Sequence, residues 1–149
     1  MKIAAQINIS STKENVWKTI TDVQHFPRIL KGVKSIEILE KPANGRIGLK
    51  WRETRMYFGK PAAIDKWITE SLTFESYKTR AELDSFIFIT TLTISEDGGC
   101  LRLTNIHETI PIGILAKIKS IPMIFFKNIL KKTIKEDLSD LKNAVEQSD

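Results

Sequence analysis

The chain has 149 residues, 42% hydrophobic and 28% charged, with a net charge of +5 and a pI near 9.3. These are the values of an ordinary globular protein, long enough for one domain over residues 1–149 with its own core. The basic residues are spread along the chain and not interleaved with stacking aromatics, so nucleic acid is not an expected partner, while a transient attraction to an anionic membrane surface stays open.

Residues 3–9 alternate, with Ile3, Ala5, Ile7 and Ile9 on one face, which predicts a first strand. Ser11 to Glu14 reads as a capping box with Ser11 as N-cap. Val16, Trp17, Ile20 and Val23 follow at helical spacing, so a short amphipathic helix is expected over about 12–22. His25 to Leu30, broken by Pro27, reads as a loop and a second short helix ending at Gly32.

Strands are expected from there on. Ile36 and Ile38 alternate with charges up to Lys41, and Asn44-Gly45 is a hairpin signal. Arg46–Phe58 is a long alternating strand, and Ile64–Glu75 is another, with Ile64, Ile68 and Leu72 along one face. Tyr77–Leu83 and Phe86–Glu96 come next, and Asp97-Gly98-Gly99 turns the chain into Cys100–Thr109.

The segment Pro111–Leu130 is strongly apolar. Lys117, Lys119 and Lys127 interrupt it and two prolines punctuate it, which argues against a membrane span. Pro122 should kink or restart the helix, with Ser120 as a new N-cap. Leu130, Ile134, Leu138, Leu141 and Val145 then form one stripe of a terminal helix. The N-terminus carries no secretory pattern, so a cytoplasmic protein is expected. Cys100, the one cysteine, reads as a small apolar strand residue. The order of elements predicts an α+β fold: about six to seven antiparallel strands, two short helices after the first, and one long helix covering one sheet face.

That order resembles the helix-grip fold of the START-like (SRPBCC) superfamily, whose curved sheet wraps around a long C-terminal helix. Ile7 to Ile9 with Ser11 and Val16-Trp17 looks like the family's opening strand and helix, and Asp22, Phe26 and Pro27 like the lead-in to its second helix. Trp51 to Lys60, with Trp67 behind it, looks like the polyketide cyclase/dehydrase and lipid-transport subgroup. Leu138 to Glu146 resembles the closing helix. The resemblance implies a deep apolar cavity between sheet and helix and no single activity. The oversized apolar face before Leu130 leads to the same cavity if the sheet cannot cover it.

Alternation puts Trp51, Glu53, Arg55 and Tyr57 on one strand face, continued by Ile47 and Leu49, which makes that face the inner one. Two placements stay open for Glu53 and Arg55. They are a buried pair bonded to each other or to a ligand, or an exposed pair on the convex side. Leu101, Leu103, Asn105 and His107 share a face of the last strand, so Asn105 and His107 are polar points in an apolar wall, and His107 is the histidine placed to act as a base or donor. Its alternative is a histidine that satisfies a neighbour. His25 reads as packing or capping. Phe88 and Thr90 join the expected ligand contacts. Ile114, Ile118 and Phe125 either line the cavity mouth or belong to the core.

No nucleophile elbow, zinc motif or phosphate loop is present in the sequence, so no metal, no cofactor and no assigned catalytic residue are expected. The leading expectation is the binding or carriage of a hydrophobic small molecule such as a lipid, an isoprenoid or a polyketide-like compound. The rival is a cyclase/dehydrase-type enzyme in which Glu53, Arg55, Tyr57 and His107 orient a polyketide and move protons. A third reading is a protein-interaction module that uses an apolar patch.

Overall fold

The computed structural model describes residues 1–57, 59–113 and 126–148. The chain begins with β1 (Lys2–Ile9) and α1 (Lys13–Ile20), followed by a 3-10 turn (Val23–His25) and α2 (Phe26–Ile29). Six strands follow: β2 (Val33–Glu40), β3 (Lys50–Tyr57), β4 (Lys60–Leu72), β5 (Ser76–Leu83), β6 (Phe86–Asp97) and β7 (Cys100–Pro111). The long helix α3 (Lys127–Gln147) comes last. The seven strands form one antiparallel sheet in the order β1-β7-β6-β5-β4-β3-β2. β1 closes onto β7, and the other neighbours are sequential hairpins, the economical topology for consecutive antiparallel strands.

The first helix caps one residue later than the capping-box pattern suggests. Thr12 is in the extended conformation and its Oγ1 accepts from the Asn15 amide at 3.2 Å, so Thr12 is the N-cap. Ser11 accepts from the Asn15 side chain at 3.3 Å instead. The helix buries Val16, Trp17 and Ile20, as its spacing predicts.

The β2–β3 connection is longer than Asn44-Gly45 implies. β3 begins at Lys50, and residues 41–49 form a loop with Gly45 and Gly48 at positive φ. The loop leaves β2 because it bonds to β4: the Gly48 amide donates to the Ile68 carbonyl and the Ile68 amide to the Leu49 carbonyl. Ile47 therefore sits in the loop, 57% exposed, and does not extend the inner face.

A second departure lies in β4. A register shift between Ile68 and Glu70 reverses the alternation, so Ile68 is buried but Leu72 is 58% exposed. Ser71, not Leu72, then stands opposite the buried Tyr77.

The core lies between the sheet and its helices. Ile134, Leu138, Leu141 and Val145 of α3 are buried against it, with Leu130 half-buried at the edge of the same stripe. Polar contacts fix the C-terminal part of the helix. The Ser10 amide donates to Glu146 at 3.0 Å and Lys142 donates to the Asn8 carbonyl at 2.7 Å. Asp140 accepts from the Lys31 amide at 2.9 Å, which ties the helix to the turn before β2. The expectations at Ser120, Pro122, Ile114, Ile118 and Phe125 lie outside the described residues.

Candidate functional site

The strand register decides which side chains meet under α3. Glu53 stands opposite Ile64, and Trp51 opposite Lys66. Lys66 pairs with Ala81, Ala81 with Phe88, and Phe88 with Thr109. Ile68, Thr79, Thr90, His107 and Ile3 form the next row. Directly opposed residues share a face, so Trp51, Glu53, Arg55, Phe88, Thr90, Asn105 and His107 all stand on the side covered by α1 and α3. Tyr57 belongs to the same alternation, but it lies at the end of β3 and is 41% exposed.

Glu53 is the centre of a buried ion network. Its carboxylate is 3% exposed and accepts from Arg55 Nε at 2.8 Å and Lys66 Nζ at 2.9 Å. Trp51 Nε1 approaches its other oxygen at 3.5 Å. The Arg55 guanidinium then reaches across to α3, where Nη2 and Nη1 donate to the two oxygens of Asp137 at 2.7 and 3.2 Å. This is the bidentate arrangement that suits a planar guanidinium. Gly32 makes room for it, since a Cβ there would lie 2.9 Å from Arg55 Nη1.

Electrostatics follow the geometry. Burial works against the Glu53 carboxylate, but Lys66 and Arg55 outweigh it and hold its pKa down at about 2. Burial also works against the Arg55 charge, and Glu53 and Asp137 outweigh it, so Arg55 is held firmly protonated. Asp137 goes the other way: burial raises its pKa in spite of Arg55. Tyr57 and Tyr77 are both pushed up, chiefly by burial. The Tyr77 hydroxyl donates to the Ile20 carbonyl at 2.7 Å, which joins the sheet to α1.

His107 lies beside this network. Its Nδ1 is 3.0 Å from Thr90 Oγ1, its Nε2 is 3.4 Å from Thr109 Oγ1, and its ring stacks on Phe88 with centroids 6.0 Å apart. Burial lowers its pKa to about 4, helped by Lys66 and the N-terminal ammonium, so the ring is neutral at neutral pH. Asn105 is the odd member. It is 9% exposed, and its side-chain oxygen is buried with no hydrogen-bond partner among the described residues.

Two shallow concavities lie away from this cluster. One of about 410 Å3 runs along the outward face of α3, and one of about 450 Å3 lies at the start of α1 beside the β6–β7 turn. Neither is lined by Glu53, Arg55, Lys66 or His107. No group of described residues has the composition of a metal site.

The family model for polyketide cyclase / dehydrase and lipid transport matches residues 1–146. The chain belongs to this family. The fold of this family member is shared with solved structures at low sequence identity. An aromatase/cyclase, Zhui, from Streptomyces sp. R1128 is 14% identical with a TM-score of 0.76, over 99% of this chain and 94% of that one. A START superfamily protein from Mycobacterium smegmatis is 17% identical with a TM-score of 0.75, over 99% of each chain. A protein from Thermus thermophilus is 14% identical with a TM-score of 0.79, also over 99% of each. No curated protein matches in sequence.

Within this family member, sequence reasoning missed Lys66 and Asp137. Lys66 sits between Ile64 and Ile68 at period two, so the alternation already placed it inward. Asp137 flanks Leu138 at the edge of the apolar helix stripe. An inward Arg55 with two donor edges was the signal that a second carboxylate should face it. His25, in contrast, bonds to Asp22 at 2.7 Å on the surface, away from the cluster.

Proposed function

We propose that the chain binds a hydrophobic small molecule between its sheet and α3, with a polar end of that molecule directed at Asn105, Lys66 and His107. The observation that carries this reading is Asn105. A buried amide oxygen without a donor is costly, and such a group calls for a partner. Lys66 supports it, because its ammonium has three donors and one acceptor among the described residues, Glu53. The ligand class this favours is apolar with a hydroxyl or protonated group that can donate to the amide. Membership of a family described by polyketide cyclization, dehydration and lipid transport is consistent with such a ligand. Native mass spectrometry of freshly purified protein should detect a co-purifying apolar compound. A hydrophobic naphthalene sulfonate dye should bind the native state saturably and be displaced by fatty acids or aromatic polyketides. Dye binding confined to partly unfolded protein would remove the reading.

A second reading is a cyclase/dehydrase-type enzyme, and His107 is the observation that favours it. A neutral imidazole oriented by Thr90 and set beside a lysine is suited to accept a proton. Replacing His107→Gln should abolish turnover of an aromatic polyketide substrate while dye binding persists. Wild-type protein that binds such a substrate without converting it would discard the enzyme reading.

A further inference from the structure

Asn105 is not alone in holding a buried polar atom with no hydrogen-bond partner among the described residues. Trp17 Nε1 and Arg102 Nε share that condition. Arg102 alternates with the buried Leu101 and Leu103, so it lies on the convex face, where its guanidinium pairs with Asp97. Trp17 and Asn105 both belong to the face under the helices. Trp17, on α1, sets its ring 6.2 Å from that of Tyr77 in an edge-to-face contact. Tyr77 stands opposite Leu92, and Leu92 opposite Asn105. One row of the sheet therefore runs from beneath the indole to the amide. It crosses two strand spacings, which puts the two atoms on the order of 10 Å apart.

The two atoms are opposite in kind, since an indole N–H donates and an amide oxygen accepts, and at that separation they cannot satisfy each other. The indole is also held in place. Phe74 meets it edge to face with centroids 6.5 Å apart, and the Arg46 guanidinium covers the ring at 5.4 Å. Phe74 has a φ of 65°, a left-handed conformation that a bulky residue adopts at a cost, so its contact with Trp17 is kept against strain. Clamped this way and 3% exposed, the indole cannot swing its N–H out to water. The rings of Phe74 and Tyr77 offer it a weak N–H to π contact, second-order beside a carbonyl oxygen. Each atom left dry carries a desolvation penalty that a partner of the right sense removes.

We propose that the molecule bound here carries two polar groups of opposite hydrogen-bonding sense, a hydroxyl that donates to Asn105 Oδ1 and a carbonyl that accepts from Trp17 Nε1, joined by an apolar span on the order of 10 Å. This rests on the ligand reading above and narrows its ligand class. The wall between the two atoms suits an apolar span: Leu92 is the residue between Tyr77 and Asn105, and the Tyr77 hydroxyl is already bonded to the Ile20 carbonyl. A plain hydrocarbon chain would leave both atoms unpaired, and a compound with one polar group would leave one of them so.

The test is displacement of a naphthalene sulfonate dye from the full chain by three compounds. Methyl ω-hydroxyoctanoate has both groups, octanol lacks the carbonyl, and methyl octanoate lacks the hydroxyl. The hydroxy ester should bind at least about fivefold more tightly than either of the others, the gain from one recovered buried hydrogen bond. Trp17→Phe keeps an aromatic ring and removes the donor. It should abolish the advantage over octanol and keep the advantage over methyl octanoate, and Asn105→Leu should do the reverse. The wild-type comparison decides by itself if either variant fails to fold. Equal displacement by the three compounds, as expected where ordered water satisfies both atoms, would overturn the proposal and leave the ligand reading in place. A Trp17→Phe variant that keeps the full advantage over octanol would do the same. Displacement by none of the three would overturn the ligand reading and this proposal together.

Discussion

Glu53 keeps a full negative charge on a side chain that is 3% exposed, and it does so because two cations point at it. Such a carboxylate costs several kcal/mol to desolvate and is tolerable only while its partners stay. Replacing Glu53→Gln should therefore destabilise the protein by about 3–5 kcal/mol, read from the urea midpoint. A second change, Arg55→Met, should not restore stability, because Asp137 would then be left buried and unpaired. Adding Asp137→Asn should recover much of the loss, since Lys66 is the most exposed member and can turn to water. A double variant as stable as wild type would mean that Asp137 is not part of the network. The pH dependence adds a second check. His107 is held at about 4 in the fold, whereas an imidazole in the unfolded chain protonates near 6.5. Between those values the unfolded chain binds a proton that the native state does not, so stability should fall as pH drops from about 6.5 toward 4. The loss should be on the order of 1–3 kcal/mol. The Glu53 contribution is lost in the next window down, as pH falls toward about 2. Asp137 opposes both, because its raised pKa lets the native state take up a proton early. His107→Gln should flatten the stability profile between pH 6.5 and 4 and leave the more acidic loss in place.

At the scale of the element, α3 is the piece on which the rest depends. Its stripe of Ile134, Leu138, Leu141 and Val145 covers the face that would otherwise expose the ion network. Leu138 is 1% exposed, and Leu138→Ala should cost about 2–5 kcal/mol in chemical denaturation. A cost within about 0.5 kcal/mol, as for an ordinary surface substitution, would show that the stripe is not a core contact. The helix stripe was legible in the sequence because five apolar residues at helical spacing have few alternative meanings. The strand alternation was legible for β1, β3, β6 and β7 for the same reason. It misled at Leu72 and Ile47, where backbone geometry intervened: a register shift inside β4 and a loop bonded to β4. Neither leaves a periodic trace. The inward position of Glu53 and Arg55 followed from alternation. The choice between a buried and an exposed pair needed their long-range partners, and the Arg55–Asp137 contact spans 82 positions of sequence.

At the scale of the molecule, the sheet, α1 and α3 enclose a face that is mostly apolar but holds Asn105 Oδ1, a buried acceptor without a partner among the described residues. That asymmetry gives the ligand reading a thermodynamic consequence. A compound that binds the native state and not the unfolded chain stabilises it by about 2.7 kcal/mol at a hundredfold excess over its Kd. For a chain of this size that corresponds to a rise in Tm of roughly 5–10 °C. The same ligand should do much less for Asn105→Leu, because the amide oxygen it would satisfy is gone. Without ligand, the variant should be at least as stable as wild type, since removing an unpaired buried acceptor relieves a penalty and the leucine keeps an apolar contact with Leu92 and Ala5. Thermal melts of both proteins, with and without a saturating fatty acid or aromatic polyketide, would measure all four states. An Asn105→Leu variant that is less stable alone and equally stabilised by ligand would show that Asn105 holds the fold and has no part in binding.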